Sequence, residues 1–87
     1  MEVVFTQRAL SERDFWKESG QKRVQKRISL LLEAILENPY HGIGKPEALR
    51  GNLSGFWSRR ITQEHRLVYR IHPEKNRLEV ISIRFHY

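Results

Sequence analysis

The 87-residue sequence predicts an α+β fold in which two N-terminal helices pack on one face of a small antiparallel β-sheet, in the order β-α-α-β-β-β. Two observations predict it. Val24, Ile28, Leu31 and Ile35, joined by Leu32 and Leu36, recur at the spacing of one helical face. Further on, three runs of strand-like composition at about 53–61, 65–71 and 78–85 are joined only by "TQE" and "HPEKNR". Connections that short favour an antiparallel meander. Helices gathered on one side leave the other face of the sheet open.

The elements follow in order. "EVVF" at 2–5 is a short β-branched run, and Thr6 after it suits the N-cap of a helix reaching about Glu18. Phe5 and Leu10 then take the two positions of a hydrophobic staple, and Ala9, Leu10, Phe15 and Trp16 supply the apolar stripe. Ser19-Gly20 closes that segment. The second helix runs from Gln21 to Asn38, where Asn38-Pro39 stops it. Lys22, Arg23, Lys26 and Arg27 lie on its first turns away from the apolar stripe, as a solvated face or as phosphate contacts. "NPYHGIGKPEALRGNLSG" holds four of the five glycines and two of the three prolines, which marks a long structured loop of the kind that carries function.

Length bounds the chain to a single domain, 1–87. A hydrophobic fraction of 39% with nine aromatic residues argues against disorder. The absence of cysteine excludes a disulfide framework and thiolate metal sites and is compatible with a reducing cytoplasm. No apolar run approaches a membrane span, and the N-terminus lacks the pattern of a signal peptide. Sixteen Lys and Arg against ten Asp and Glu give a net charge of +6, which fits a polyanionic partner or a basic, soluble surface.

Period two places Arg66, Val68 and Arg70 on one face of a strand and His65, Leu67, Tyr69 and Ile71 on the other. Arginines on an open sheet face would line a groove suited to RNA, with guanidinium forks on phosphates and Trp57 as a stacking surface for unpaired bases. Cleavage would need a base for the 2′-OH, an acid for the leaving 5′ oxygen and cations for the phosphorane, with no metal or other cofactor if those are in place. Glu47, near Lys45 on the loop, is a candidate base, and His86, next to last in the chain, a candidate acid. On residue type alone Glu47 also fits a surface carboxylate, His86 an exposed imidazole, and Arg59 and Arg66 structural arginines. His41, His65 and His72 have no metal-ligand spacing and read as structural or exposed. "GIGKP" is no phosphate loop, because Pro46 stands where a hydroxyl must bind magnesium.

"GKPE", "LSGFWSRRI", "EHRLVY" and the terminal "HY" together resemble the YoeB toxins of the RelE/ParE superfamily, over nearly the whole chain. The resemblance implies a microbial-RNase-like fold and a ribosome-dependent endonuclease that cuts mRNA in the ribosomal A site, against rRNA. It also implies inhibition by an acidic antitoxin of the YefM type and allows a homodimer. By position, Glu47 resembles the family's general base, His86 its general acid, Arg66 its phosphate and transition-state stabiliser, and Tyr87 its terminal active-site tyrosine. Lys45 and Arg59 match basic positions lining the pocket, with Arg60, Arg84 and Trp57 expected on RNA beside them. Ile43 and the hairpin "HPEKNRLEV" depart from the family pattern, outside the pocket. Two other functions fit the same scaffold: a ParE-like toxin that binds DNA gyrase, and a non-catalytic RNA-binding domain.

Overall fold

The computed structural model describes residues 1–85. Strand β1 (Glu2–Phe5) leads into helices α1 (Gln7–Ser19) and α2 (Lys22–Glu37), followed by strands β2 (Glu47–Ala48), β3 (Trp57–Arg60), β4 (Arg66–His72) and β5 (Arg77–Ser82). The strands form one sheet in the order β1-β5-β4-β3-β2.

Thr6 caps α1 as its residue type suggests. Its backbone is extended and its Oγ1 accepts from the Ala9 amide at 3.1 Å. The same hydroxyl donates to the Ile81 carbonyl at 2.8 Å, so the cap also ties the helix to β5. Gly20 ends α1 in the left-handed region at φ 72°. The expected apolar stripe of α1 holds only in part: Ala9 and Trp16 are buried, whereas Leu10 and Phe15 are exposed. In α2, Val24, Ile28, Leu31 and Ile35 are all buried and face Leu67, Tyr69, Leu78, Val80 and Ile83 from the sheet.

The meander β3-β4-β5 is antiparallel as its short connections require. The sheet as a whole is mixed, because β1 pairs parallel with β5, Val3 beside Leu78 and Phe5 beside Val80. Side-chain alternation carries no information on strand direction, which is why the sequence did not distinguish this arrangement. Between Tyr69↔Val80 and Val68↔Ser82 the register skips Ile81, a bulge in β5. That extra residue lets both Val80 and Ile83 enter the core.

Thr6→Ala removes the cap and the tie to β5 together and is expected to cost about 1–2 kcal/mol in urea unfolding. A loss within about 0.3 kcal/mol would mean that water replaces both bonds without penalty.

Candidate functional site

Strand pairing shows which residues meet on the open face. Glu47 lies opposite Ser58, Ser58 opposite Val68, and Val68 opposite Ser82, so four strands contribute one row across the sheet. Ser58, Val68 and Ser82 are buried although they face away from the helices, and they make a recessed floor of small side chains. Arg60 and Arg66, paired with each other, stand one row further on the same face. Glu47 and Arg66 are thus separated by two strand spacings, about 10 Å, and two residues along the strand. Long side chains can converge over the floor from these positions.

A cleft of about 260 Å3 opens at the Glu47 end, lined by Lys45, Pro46, Glu47 and Arg60. Lys45, Glu47 and Arg60 are exposed. Arg60 also fixes the loop through its backbone: its amide donates to the Gly44 carbonyl at 2.7 Å, and its carbonyl accepts from Arg27 Nη2 at 3.2 Å. Lys45 itself takes a left-handed φ of 51°, unusual for a residue with a side chain.

Arg59 does not join them. It is fully buried on the helix side of β3, which corrects the expectation that it lines the RNA groove. Its Nη2 donates to the carbonyls of Asn38 at 2.6 Å and His41 at 3.0 Å, its Nη1 to Ile43 at 3.2 Å and its Nε to the Tyr69 hydroxyl at 3.2 Å. Tyr69 in turn donates to the Pro39 carbonyl at 2.6 Å. The Asn38 carbonyl ends α2, so the cation also sits at the negative end of that helix. Five backbone groups of the 38–44 loop are therefore held from below: four carbonyls by these two side chains, and the Gly44 carbonyl by β3. Burial pushes the Tyr69 hydroxyl above its ordinary pKa, partly offset by the hydrogen bond and charge of Arg59.

Trp57 shares the helix-side face with Arg59, packing against the core and against Tyr40 at 4.9 Å between ring centroids. It is no stacking platform on the open face, a second correction. Its alternation with Arg59 and Ile61 was legible: an arginine between two apolar residues of the same parity is a buried arginine. Arg84 is the third. Its guanidinium carbon lies 3.5 Å from the Phe15 ring centroid and 4.5 Å from that of Phe85, its Nε is buried without a partner among the described residues, and it does not line the cleft. Arg66 is half-buried, and its three described side-chain bonds all leave Nη1, to the carbonyls of Thr62, Gln63 and His65. Its amide donates to the Phe85 carbonyl at 2.9 Å, which brings Phe85 beside it. His86 and Tyr87 lie outside the described residues. Among the described residues, no three His, Asp or Glu side chains gather as a metal ion would require, and no helix is long and apolar enough to cross a membrane.

Residues 5–87 match the family model of the YoeB-like toxin of bacterial type II toxin-antitoxin systems. The chain is 52% identical over its full length to a toxin YoeB of Synechocystis, of which it covers 98%. A YoeB/ParE toxin from Agrobacterium tumefaciens superposes with a TM-score of 0.95 at 44% identity, each chain covering the other completely. YoeB of Staphylococcus aureus, solved as a heterotetrameric YoeB-YefM complex, superposes with a TM-score of 0.88 at 38% identity over all of this chain and 98% of that one.

The Arg59 and Tyr69 network generates two expectations. Arg59→Lys keeps the charge but cannot span four acceptors, and is expected to lower stability by at least about 2 kcal/mol. A near-neutral result would show that the carbonyls find other donors. Because the Tyr69 pKa is raised on folding, its contribution is complete below the ordinary tyrosine pKa near 10 and is lost as pH rises toward the folded value. The wild type should therefore lose stability above about pH 10 more steeply than Tyr69→Phe does. Parallel alkaline unfolding curves for the two proteins would refute this.

Proposed function

The chain belongs to the YoeB-like toxins of bacterial type II toxin-antitoxin systems, and from that premise we propose that it is a ribosome-dependent mRNA endonuclease acting without a metal ion. The whole chain, 1–87, is the toxin domain, and it works in the cytoplasm on mRNA in the ribosomal A site, against rRNA. What carries the reading is that Glu47 and Arg66, nineteen positions apart, share one open face across a buried floor of small residues. A pure binding surface has no need of a carboxylate facing an arginine across a recess.

In this mechanism Glu47 takes the proton of the 2′-OH, whose oxygen attacks the adjacent phosphorus. Arg66 stabilises the charge that accumulates on the phosphorane oxygens, through guanidinium nitrogens other than Nη1, which the turn carbonyls occupy. His86 protonates the departing 5′ oxygen, leaving a 2′,3′-cyclic phosphate and a 5′-hydroxyl, and Tyr87 completes the pocket. Lys45 and Arg60, both exposed at the cleft, hold the flanking phosphates. No residue need bind a cofactor. An acidic antitoxin of YefM type would cover this face, and a homodimer is a further assembly; S. aureus YoeB has been solved both as a dimer and with YefM.

Purified protein with programmed ribosomes should cut mRNA in the presence of EDTA and leave cyclic or 3′-phosphate ends. Products with 3′-hydroxyl ends, or inhibition by EDTA while the ribosomes stay intact, would overturn the mechanism. Glu47→Gln is expected to lower the single-turnover rate by about 10² to 10⁴-fold with ribosome affinity little changed. If affinity falls in proportion, Glu47 positions the RNA instead of moving a proton. Gyrase inhibition without RNA cleavage would favour the ParE-like alternative.

A further inference from the structure

The last strand does not simply run out. Beyond Ser82 the chain is gripped from both sides. Helix α1 holds Ile83 by two bonds, Trp16 Nε1 donating to its carbonyl and Glu12 Oε1 accepting from its amide, both at 2.8 Å. Two residues later the turn before β4 takes over. The Phe85 amide donates to His65 Nδ1 at 2.8 Å, and the Phe85 carbonyl accepts from the Arg66 amide. Phe85 has a left-handed φ of 63°, a conformation that a residue with a large side chain adopts only when its surroundings impose it.

His65 is built to impose it. Its ring meets Trp16 edge-on, with centroids 4.9 Å apart at 88°, and lies 5.6 Å from the Phe85 ring. Its Nε2 faces Glu64 Oε1 at 3.5 Å. For Nδ1 to accept the Phe85 amide, the imidazole must be neutral with its proton on Nε2, the side that meets the carboxylate. The ring is thus held by packing, with a carboxylate near Nε2 and the Nδ1 lone pair turned to the Phe85 amide.

We propose that His65 is a positioning residue for the catalytic C-terminus: by accepting the Phe85 amide it fixes, beside Arg66, the Phe85 backbone that His86 and Tyr87 follow in sequence. The inference rests on the reading of His86 as the general acid. It assigns a role to a histidine whose residue type and spacing read only as structural or exposed. Arg66 thereby serves twice, its side chain on the open face and its amide as the second point of attachment.

His65→Phe keeps a ring against Trp16 and removes the acceptor, whereas His65→Asn offers an amide oxygen near the place of Nδ1. His65→Phe should lower kcat for ribosome-dependent cleavage by about 10 to 10²-fold with KM within about twofold, as expected for a misplaced catalytic group. His65→Asn should recover most of that loss. Amide exchange followed by NMR supplies a readout that needs no activity: the Phe85 and Arg66 amides should exchange at least about tenfold faster in His65→Phe, with core amides of α2 and β4 unchanged. Unchanged Phe85 exchange would remove the anchor. Lost protection with unchanged kcat would remove the positioning role. Core amides exchanging faster in step would make the residue merely structural. Should the wild type cut no RNA, the proposed nuclease function fails, while the exchange measurements still decide whether His65 holds the chain end.

Discussion

A fully buried guanidinium, that of Arg59, is the interaction on which the site depends. The 38–44 segment has no regular structure, so its carbonyls must find donors elsewhere or pay for desolvation. Arg59 and Tyr69 supply them from β3 and β4, and the described partners of this cation are carbonyl and hydroxyl oxygens. Burying a charge with dipoles as its partners is costly, and the gain lies in the single loop path that meets its geometry. Gly44 shows how tight that path is. A Cβ there would come within 2.7 Å of Leu31 Cδ2 and 3.1 Å of Arg59 Cβ, at a φ of 86°. The next three residues are Lys45, Pro46 and Glu47, so the loop geometry sets where the cleft residues enter β2.

The same device recurs at the other arm of the site. Around Phe85, as around Asn38 to Ile43, an irregular segment has its backbone bonds satisfied by side chains of well-ordered elements: Trp16 and Glu12 from α1, His65 from the turn before β4. Asn38 begins the first segment in a similar way, its side-chain oxygen accepting from the amides of Tyr40 and His41. Two segments without hydrogen-bond ladders of their own are thereby placed on either side of a floor that is itself rigid sheet. The arrangement combines a precise frame with loops that can carry chemistry.

Much of this was legible in the sequence and some was not, for reasons that differ by residue. The helices could be read to within a residue or two, because Thr6, Gly20 and the Asn38-Pro39 pair are local signals that need no tertiary context. The open-face arginines of β4 followed from alternation. Strand β2 was invisible, since two residues have no period, and the β5 bulge could not be anticipated because it depends on which pairing keeps Ile83 inside. Arg59, Trp57 and Arg84 were misplaced for a single reason: residue type was allowed to outweigh parity and neighbours. Charge says that a residue needs a partner, not whether that partner is water, RNA, a carbonyl or a ring.

The net charge of +6 therefore overstates what the groove offers to an anion. Arg59 is spent on the loop, Arg84 is stacked between Phe15 and Phe85, Arg70 lies over Phe56 at 5.4 Å, and Arg77 pairs with Glu2 at 2.9 Å. What remains is Lys45 and Arg60 at the cleft and part of Arg66 on the same open face, a small set on a small floor. On this face alone few phosphates can be neutralised, and non-specific affinity grows with their number. Under the proposed function the ribosome would supply the affinity and present the strand, and the toxin would contribute a few charges at the scissile phosphate. The proposed reliance on the ribosome would fit this distribution, in which Arg59, Arg77 and Arg84 are committed to contacts within the protein.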